Sequence, residues 1–327
     1  MPLSLEQWIA GGERTRIAGH EIFHRQDGPA DGRPVTLLHG FPTSSHDWAP
    51  ILPALTASGC RVTTVDLLGF GASAKPAGHD YRITEQATIV EELWRHLGIG
   101  PTALVAHDYG VSVAQELLHR NASRIGVAAF LNGGLYPDLH RPTRTQRLLH
   151  SPLGAVFQHL ATASMFRKSL REILGRAVDD EQLDDMWRAM TMGRGLRVQH
   201  RLLYYIDERR QHADRWRSAL EQYPSPLQFI WGPADPVSGG HVLPRLRERL
   251  PHAQFTVLDE PPITGHYPQV ENPAAVAAAL TAFLKYTRHR FTAGEPRPPH
   301  PERSPALSRP AEPARAPAAP DPRTPCP

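Results

Sequence analysis

The sequence predicts an α/β fold, in which helices cover both faces of a mostly parallel central sheet and a helical segment is inserted between two core strands. Three observations indicate this fold. Short apolar runs alternate with amphipathic helical patterns along most of the chain. The runs are continuously apolar, as expected of strands that are buried on both faces of a parallel sheet. Between residues 134 and 223 the alternation stops, and only helical patterns are found.

Six apolar runs are predicted as strands, and each ends at a polar or glycine-containing turn. They span residues 34–38, 61–65, 102–106, 126–131, 226–230 and 254–258. The helical patterns around them cover residues 45–57, 84–97, 111–121, 242–250 and 273–286. Such alternation implies right-handed crossovers, and ligands of such sheets bind beyond the carboxyl ends of the strands.

The interval without strands predicts a helical cap above these strand ends. Its helical patterns span residues 145–149, 153–174, 181–190 and 196–210. The chain is thus divided into a first part of the core (1–135), the cap (136–223), a second part of the core (224–290) and a tail (291–327). The tail holds 12 of the 33 prolines and is predicted to be disordered, because it cannot bury enough apolar surface to offset its ordering entropy.

Composition excludes several classes of protein. The 327 residues include 36 Lys+Arg and 33 Asp+Glu, so the net charge is +3, and we expect no nucleic-acid partner. No apolar run approaches the ~20 residues of a membrane span, so no membrane partner is expected either. Two cysteines cannot form a disulfide framework, and the first twelve residues lack the pattern of a secretory signal. A cytoplasmic protein is expected, while its oligomeric state is left open.

The most informative motif is AHDYG at residues 106–110, between a predicted strand and a predicted helix. Small residues two before and two after a central residue are typical of the tight turn that presents a nucleophile. The central residue here is Asp108. A carboxylate in the first turn of a helix is stabilised as an anion by the free N–H groups and the helix dipole. The sequence therefore predicts that Asp108 is an anionic nucleophile, although a simple helix cap is the alternative.

Two backbone N–H groups are predicted to form an oxyanion hole. The sequence HGFP at residues 39–42 follows the first predicted parallel strand, in a loop that donates one N–H group in folds with a nucleophile turn of this kind. The second donor is the residue after the nucleophile. These positions assign the N–H groups of Phe41 and Tyr109.

The remaining members of a catalytic triad are predicted at the ends of later strands. Asp235 lies in the loop after the strand at 226–230, and His266 follows the last strand. The order Asp108, Asp235, His266 is that of nucleophile, acid and histidine. Asn132 occupies the other place where the acid could lie, and an amide cannot hold an imidazolium by charge. Asp259 is the second choice of acid and is interpreted as a turn residue.

Together these motifs resemble a known family. The segment DLLGFGASAKP at residues 66–76, with HGFP and HDYG, resembles the epoxide hydrolase and haloalkane dehalogenase branch of the α/β-hydrolase superfamily. VAQELL after HDYG, NGG at 132–134, HRP at 140–142 and HYPQ at 266–269 resemble the mesoderm-specific transcript proteins. The resemblance covers residues 35–286. It implies an α/β-hydrolase fold with an Asp nucleophile and an inserted helical cap, and it leaves the substrate open.

The resemblance also implies a reaction. Asp108 would form an ester with a small hydrophobic substrate, and His266 would activate water to hydrolyse it, with no cofactor and no metal. Epoxide hydrolases of this branch donate a proton from cap tyrosines. Tyr205 is favoured because its YIDxR context resembles the related proteins, and Tyr204 and Tyr136 are further candidates.

Four alternatives to an epoxide hydrolase remain. Haloalkane dehalogenases resemble one another in Trp after the nucleophile, where this chain has Tyr109, and often have Asn or Trp in the first loop, where it has Phe41. Haloacetate-type enzymes would require arginines near the nucleophile, which HDYG lacks. A non-catalytic relative that binds a small ligand is the third alternative. An esterase is disfavoured because Asp108 is not Ser.

Overall fold

The computed structural model describes residues 3–288, and the predicted tail lies outside this range. Eight strands of the described chain form one sheet in the order β1-β2-β4-β3-β5-β6-β7-β8. They are β1 Glu13–Ile17, β2 His20–Asp27, β3 Arg33–Leu38, β4 Cys60–Val65, β5 Thr102–His107, β6 Ile125–Leu131, β7 Leu227–Trp231 and β8 Gln254–Val257. From β3 to β8 all pairings are parallel, and β2 pairs antiparallel with β1 and β4. The predicted α/β-hydrolase fold is thereby confirmed, and the six predicted strands are β3 to β8.

Fourteen α-helices surround or extend this sheet in the described residues. They are α1 Leu5–Ala10, α2 Leu52–Ala57, α3 Ile83–His96, α4 Tyr109–Asn121, α5 Arg144–Leu149, α6 Gly154–Phe157, α7 Ala163–Arg171, α8 Asp180–Thr191, α9 Gln199–Leu202, α10 Tyr205–Gln211, α11 Ala213–Glu221, α12 Leu243–Arg249, α13 Pro268–Glu271 and α14 Pro273–Tyr286. The helices from α5 to α11 all lie between β6 and β7, where no strand occurs. The term inserted segment is used below for residues 136–223, and its independence as a cap domain stays a prediction.

Both faces of the sheet are buried, which explains the continuous apolar runs. Side chains alternate across a strand, so on β5 Leu104 and Ala106 pack on the face covered by α3 and α4, whereas Ala103 and Val105 pack on the face covered by α2 and α14. All six residues of β5 are buried. The sheet therefore holds the turn after β5 rigidly from two sides.

Several predicted helices are shorter or interrupted in the structure. The pattern at 45–57 forms a 3₁₀ turn, Ser45–Trp48, followed by α2. The pattern at 153–174 is divided into α6, a 3₁₀ turn and α7, and that at 196–210 into a 3₁₀ turn, α9 and α10. Apolar periodicity shows which residues are buried, but it does not show where one helix ends and the next begins. Consecutive short helices that bury side chains toward the same neighbour are therefore predicted as one helix.

Candidate active site

Asp108 lies at the sharp turn between β5 and α4. Its backbone has φ 42° and ψ −103°, a conformation that L-residues rarely adopt. The N–H of Gly110 donates to the carbonyl of His39, and a Cβ at Gly110 would lie 2.7 Å from the carbonyl oxygen of Leu38. Glycine is therefore required two residues after Asp108, because the helix passes directly over β3. Such strain and close packing are typical of a tight strand–helix turn that presents one side chain at the carboxyl end of the central strands.

The Asp108 carboxylate meets one of the two predicted oxyanion-hole donors. The N–H of Phe41 donates to Oδ2 of Asp108 over 3.0 Å. Tyr109 is the first residue of α4, where N–H groups have no partner within the helix. One predicted donor, the N–H of Phe41 in the loop after β3, thus contacts the carboxylate, while the role of the Tyr109 N–H at the start of α4 stays a prediction.

The structure brings His266 and Asp235 into direct contact. Nδ1 of His266 lies 2.8 Å from Oδ2 of Asp235, and its Nε2 lies 4.0 Å from Oδ1 of Asp108. Asn132 is not an alternative acid here: its amide donates to Asp235 Oδ2 over 3.0 Å and so orients that carboxylate. Asp259 is exposed, as expected of a turn residue.

Charge pairing shifts the pKa values of this pair in opposite directions. Burial by itself lowers the pKa of His266, but the carboxylates of Asp235, Asp108 and Glu271 outweigh it and raise the pKa to about 9. Burial would raise the pKa of Asp235, yet the charge of His266 and hydrogen bonds from His266, Asn132 and Ser238 bring it to about 2. Near neutral pH the pair is an imidazolium and a carboxylate, and Asp235 holds the ring in one orientation.

The loop that carries His266 is fixed by two buried neighbours. Nε2 of His107 hydrogen-bonds to the carbonyl of His266 over 2.8 Å, and burial lowers the pKa of His107 to about 4, so that its ring is neutral. Glu271 accepts hydrogen bonds from the N–H groups of Gly265 and Tyr267 on this loop, and of Gly175 and Arg176 in the inserted segment. The inserted segment is thereby anchored to the histidine loop.

Arg209 joins the inserted segment to the nucleophile turn, and its role was not predicted from the sequence. Its side chain is 2% exposed. Nη2 donates to the carbonyl of Asp108 over 2.8 Å and lies 3.9 Å from Asp108 Oδ1, while Nε donates to Ser112 Oγ over 2.7 Å. The YIDxR motif contained this arginine but gave it no role, because a sequence does not show which face of α10 meets the core.

The three predicted tyrosines have different surroundings. Tyr205 is fully buried, its ring packs against Tyr109 and Phe41, and its hydroxyl accepts a hydrogen bond from Gln146 over 3.4 Å. Burial, and next to it the charge of Asp108, raises the pKa of Tyr205, so the phenol keeps its proton. The hydroxyl of Tyr136 instead donates to Glu221. Tyr204 is 37% exposed.

A cavity of about 430 Å³ lies between the core and the inserted segment. The core contributes Phe41 and His266, and the inserted segment contributes Gln146 and mostly apolar side chains, among them Phe166 and Trp187. None of the three tyrosines lines this cavity, but Tyr205 contacts Gln146, which does. An apolar substrate of moderate size fits such a space.

His140 is a second residue near the site that sequence reasoning left without a role. Neither ring nitrogen has a hydrogen-bond partner among the described residues. Burial chiefly, and then the charge of Arg209, lowers the pKa of His140 to about 3, so the ring is neutral. A neutral imidazole with two unpartnered nitrogens can both donate a hydrogen bond to a bound molecule and accept one from it.

Among the described residues, one group has the chemistry of a metal site. His20, His79 and Glu85 place one ligand atom each within 4.8 Å of one another, on the β1–β2 hairpin, the loop before α3 and the first turn of α3. None of them lines the cavity or contacts the triad. The expectation that the reaction uses no metal and no cofactor stays a prediction.

Comparison with known proteins agrees with the fold and the motifs. Residues 33–273 match the family described as alpha/beta hydrolase fold. The mesoderm-specific transcript homolog protein of Bos taurus is 38% identical over 296 residues, which cover 86% of this chain and 88% of that protein. LipZ of Mycobacterium tuberculosis, which is named as a hydrolase, is 38% identical over 288 residues, covering 86% of this chain and 98% of LipZ.

Solved structures share the same architecture. The haloalkane dehalogenase DbeA of Bradyrhizobium elkani superposes with a TM-score of 0.69 at 23% identity, covering 85% of this chain and 98% of DbeA. At this level of identity the likeness concerns the fold, and the reaction has to be argued from the site.

Proposed function

Since the chain belongs to the α/β hydrolase fold family, we propose that it is a hydrolase that uses the Asp108 carboxylate as its nucleophile and passes through a covalent ester. One observation carries the proposal. A carboxylate in a strained strand–helix turn receives the N–H of Phe41 and lies 4.0 Å from a histidine that Asp235 orients. Serine enzymes need the histidine to deprotonate the nucleophile, whereas a carboxylate is nucleophilic without this step.

In the first half-reaction, an oxygen of Asp108 attacks a tetrahedral carbon of the substrate. The new C–O bond forms as the bond to the leaving group breaks, and the leaving group takes the electron pair. His266 and Arg209 lie beside this carboxylate and compensate its charge in a buried site. The apolar wall of the cavity favours a hydrophobic substrate.

In the second half-reaction, His266 takes a proton from water, and the resulting hydroxide attacks the carbonyl carbon of the Asp108 ester. The N–H groups of Phe41 and Tyr109 stabilise the negative oxygen that forms, and the intermediate then releases the alcohol and restores the carboxylate. Ester formation removes the charge of Asp108, which is one cause of the raised pKa of His266. The pKa of His266 therefore falls in the ester, at the point where a neutral base is needed.

An epoxide is the substrate class that we favour. Opening an epoxide produces an alkoxide, which needs a nearby proton donor, and Tyr205 is a protonated phenol packed against Tyr109 and Phe41. Tyr136 and Tyr204 are less suited, because Tyr136 contacts Glu221 and Tyr204 is partly exposed. Haloalkane dehalogenation is the second candidate, and it is weakened by Tyr109 and Phe41 at the positions where those enzymes resemble one another. Arg209, 3.9 Å from Asp108, is an arginine of the kind that a haloacetate-type enzyme would require near the nucleophile.

The test is to trap the ester. The variant His266→Gln should still attack the substrate but should not hydrolyse the product. After incubation with the compounds of a panel of epoxides and haloalkanes, intact-mass measurement of the denatured variant should show a gain equal to the mass of one epoxide, or to that of one haloalkane less one hydrogen halide. Diol formation against halide release by the unsubstituted protein identifies the leaving group, and Asp108→Ala is the blank.

Two results would contradict the proposal. A His266→Gln variant that turns over substrate without gaining mass would exclude the ester. Absence of turnover on the whole panel, together with tight binding of an apolar compound, would instead favour a non-catalytic ligand-binding protein.

A further inference from the structure

We propose that one face of the inserted segment docks on the surface of an anionic lipid bilayer. The face is formed by the exposed apolar and exposed basic side chains of residues 139–171, which include α5, α6 and α7, and it is called the docking face below. The proposal does not depend on the reaction proposed above.

The docking face holds most of the exposed large apolar side chains of the described residues. Nine such side chains are exposed, and five of them lie within 18 residues of one another. They are Leu148 at 44%, Leu153 at 59%, Val156 at 62%, Leu160 at 61% and Met165 at 59% exposure. Single exposed apolar residues are ordinary on protein surfaces, but a contiguous apolar group marks an interaction site.

The charges of the docking face are all of one sign. Residues 139–171 contain six Lys and Arg and no Asp or Glu, although one residue in ten of the whole chain is acidic. Arg167 and Arg171 pair with acids of α8. The remaining four, Arg141, Arg144, Arg147 and Lys168, are exposed and form no ion pair with the described residues. Apolar side chains between unpaired cations are typical of segments that lie in the interface of an anionic bilayer.

The docking face also borders the mouth of the cavity. Leu148, Leu160 and Met165 are exposed and at the same time line the cavity that reaches Phe41 and His266. An apolar compound dissolved in a bilayer could therefore pass from the lipid to the site without crossing water. This continuity gives the exposed apolar side chains a role that an arbitrary surface patch would lack.

A second copy of the chain is a poorer occupant of this face. In a two-fold dimer the same patch contacts itself, so the unpaired cations of one copy would face those of the other. An anionic lipid surface instead supplies the missing charge. The described helices include none that could span a bilayer. The contact that we propose is made by short helices lying on the lipid surface.

This inference departs from the expectation that the protein has no membrane partner. That expectation rests on the lack of a continuous apolar run of membrane-spanning length. The docking face consists of short helices, and which of their side chains are exposed becomes known only from the fold.

The test is sedimentation of the full chain with vesicles of phosphatidylcholine alone or mixed with phosphatidylserine. We expect binding to the anionic vesicles that weakens at high salt, and little binding to the neutral ones. The variants Arg144→Glu/Arg147→Glu and Leu153→Ser/Val156→Ser should each weaken binding at least roughly tenfold. None of these four residues lines the cavity.

Matched controls carry the same changes elsewhere on the surface. Arg95→Glu/Lys285→Glu makes the same change in charge, and Tyr286→Ser removes a side chain that is 70% exposed. Both controls should bind as the unsubstituted chain does. Melting temperatures of all variants show that the fold is intact.

Three outcomes would overturn the proposal. The first is no binding to anionic vesicles at all. The second is equal binding by the patch variants and the controls, since the contact would then lie elsewhere on the chain. The third is a dimer that Leu153→Ser/Val156→Ser dissociates, while vesicle binding is unchanged, which would assign the face to a second copy.

Discussion

Four buried ionisable side chains at the nucleophile turn balance one another in charge. Asp108 and Asp235 are carboxylates, and His266 and Arg209 supply two positive charges within 4.0 Å of one or the other. An unpaired buried charge would be costly, so each charge of this group offsets the cost of burying its neighbours. Of the four, Arg209 comes from the inserted segment, and its contact with the nucleophile turn is therefore the one that depends on how this segment packs.

Replacing Arg209 tests this contact. Arg209→Met keeps the length of the side chain but removes the donors to Asp108 and Ser112 and the charge beside the carboxylate. We expect kcat to fall roughly 100- to 1000-fold, the range found when a single preorganised donor at a reacting group is lost. The rate of ester formation in the His266→Gln background should fall by a similar factor.

The neighbouring arginine provides the control. The side chain of Arg210 is 67% exposed, and Arg210→Met should leave kcat unchanged. Arg209→Lys keeps the charge but not the forked geometry, so it should restore part of the activity. If Arg209→Met retained full activity at an unchanged melting temperature, Arg209 would have only a packing role.

Tyr205 distinguishes the two favoured substrate classes. Tyr205→Phe removes the buried hydroxyl, and proton transfer from a positioned side chain typically contributes ~10²–10⁴ in rate. Diol formation from epoxides should therefore fall by about this factor, while halide release, which needs no proton, should change little. Tyr204→Phe is the matched control on the adjacent, partly exposed residue. An unchanged rate with epoxides would rule out Tyr205 as the donor.

At the scale of elements, the sequence predicts the parallel strands and misses the antiparallel hairpin. The strands β3 to β8 follow from continuous apolar runs, which are typical of parallel sheets, and this includes the half-exposed edge strand β8. The hairpin of β1 and β2 has no such run: Ile17 is the one buried residue of β1. The helix α11 was likewise not predicted, although Trp216 and Leu220 bury one side of it.

The candidate site follows the same division. Asp108, Asp235 and His266 could be located because each follows a recognisable core strand, and strand ends meet at one edge of a parallel sheet. Arg209 and His140 could not, because they lie on short elements of the inserted segment whose packing no periodicity encodes. Sequence reasoning therefore reaches the part of the site that the sheet positions, and not the part that the inserted segment positions.

Glu271 links two elements, and its removal should affect both. Its carboxylate is 7% exposed and accepts from four backbone N–H groups, two on the histidine loop and two in the inserted segment. Glu271→Ala would leave these donors unpaired, at ~1–3 kcal/mol for each buried group. We expect the free energy of unfolding in urea to fall by about 3 kcal/mol or more.

The exposed Glu248→Ala is the control for loss of a carboxylate and should change the free energy of unfolding by less than about 0.5 kcal/mol. Glu271→Gln should be intermediate, since an amide oxygen can still accept hydrogen bonds. A Glu271→Ala variant as stable as the unsubstituted chain would show that these loops do not need the carboxylate.

At the scale of the whole molecule, the buried histidines should make the free energy of unfolding depend on pH. His107 and His140 should change it in one direction and His266 in the other. The pKa of His107 is lowered to about 4 and that of His140 to about 3, chiefly by burial. Below pH 6.5 these two rings bind protons in the unfolded chain but stay neutral in the folded chain until the pH approaches their lowered pKa values. They therefore reduce the free energy of unfolding as the pH falls. His266 is the exception, because its folded pKa is raised to about 9 from 6.5.

The contribution of His266 is therefore fully present below pH 6.5 and is lost as the pH rises through about 9. In this window the folded chain binds more protons than the unfolded one, and the free energy of unfolding falls with rising pH. The shift corresponds to a loss on the order of 3 kcal/mol.

Urea unfolding of the unsubstituted chain and of His266→Gln between these pH values isolates the effect, because the other titrating groups are common to both. The stability difference between the two proteins should shrink as the pH rises. A difference that is constant or grows would mean that His266 is neutral in the folded chain, and its ion pair with Asp235 and Asp108 would have to be abandoned.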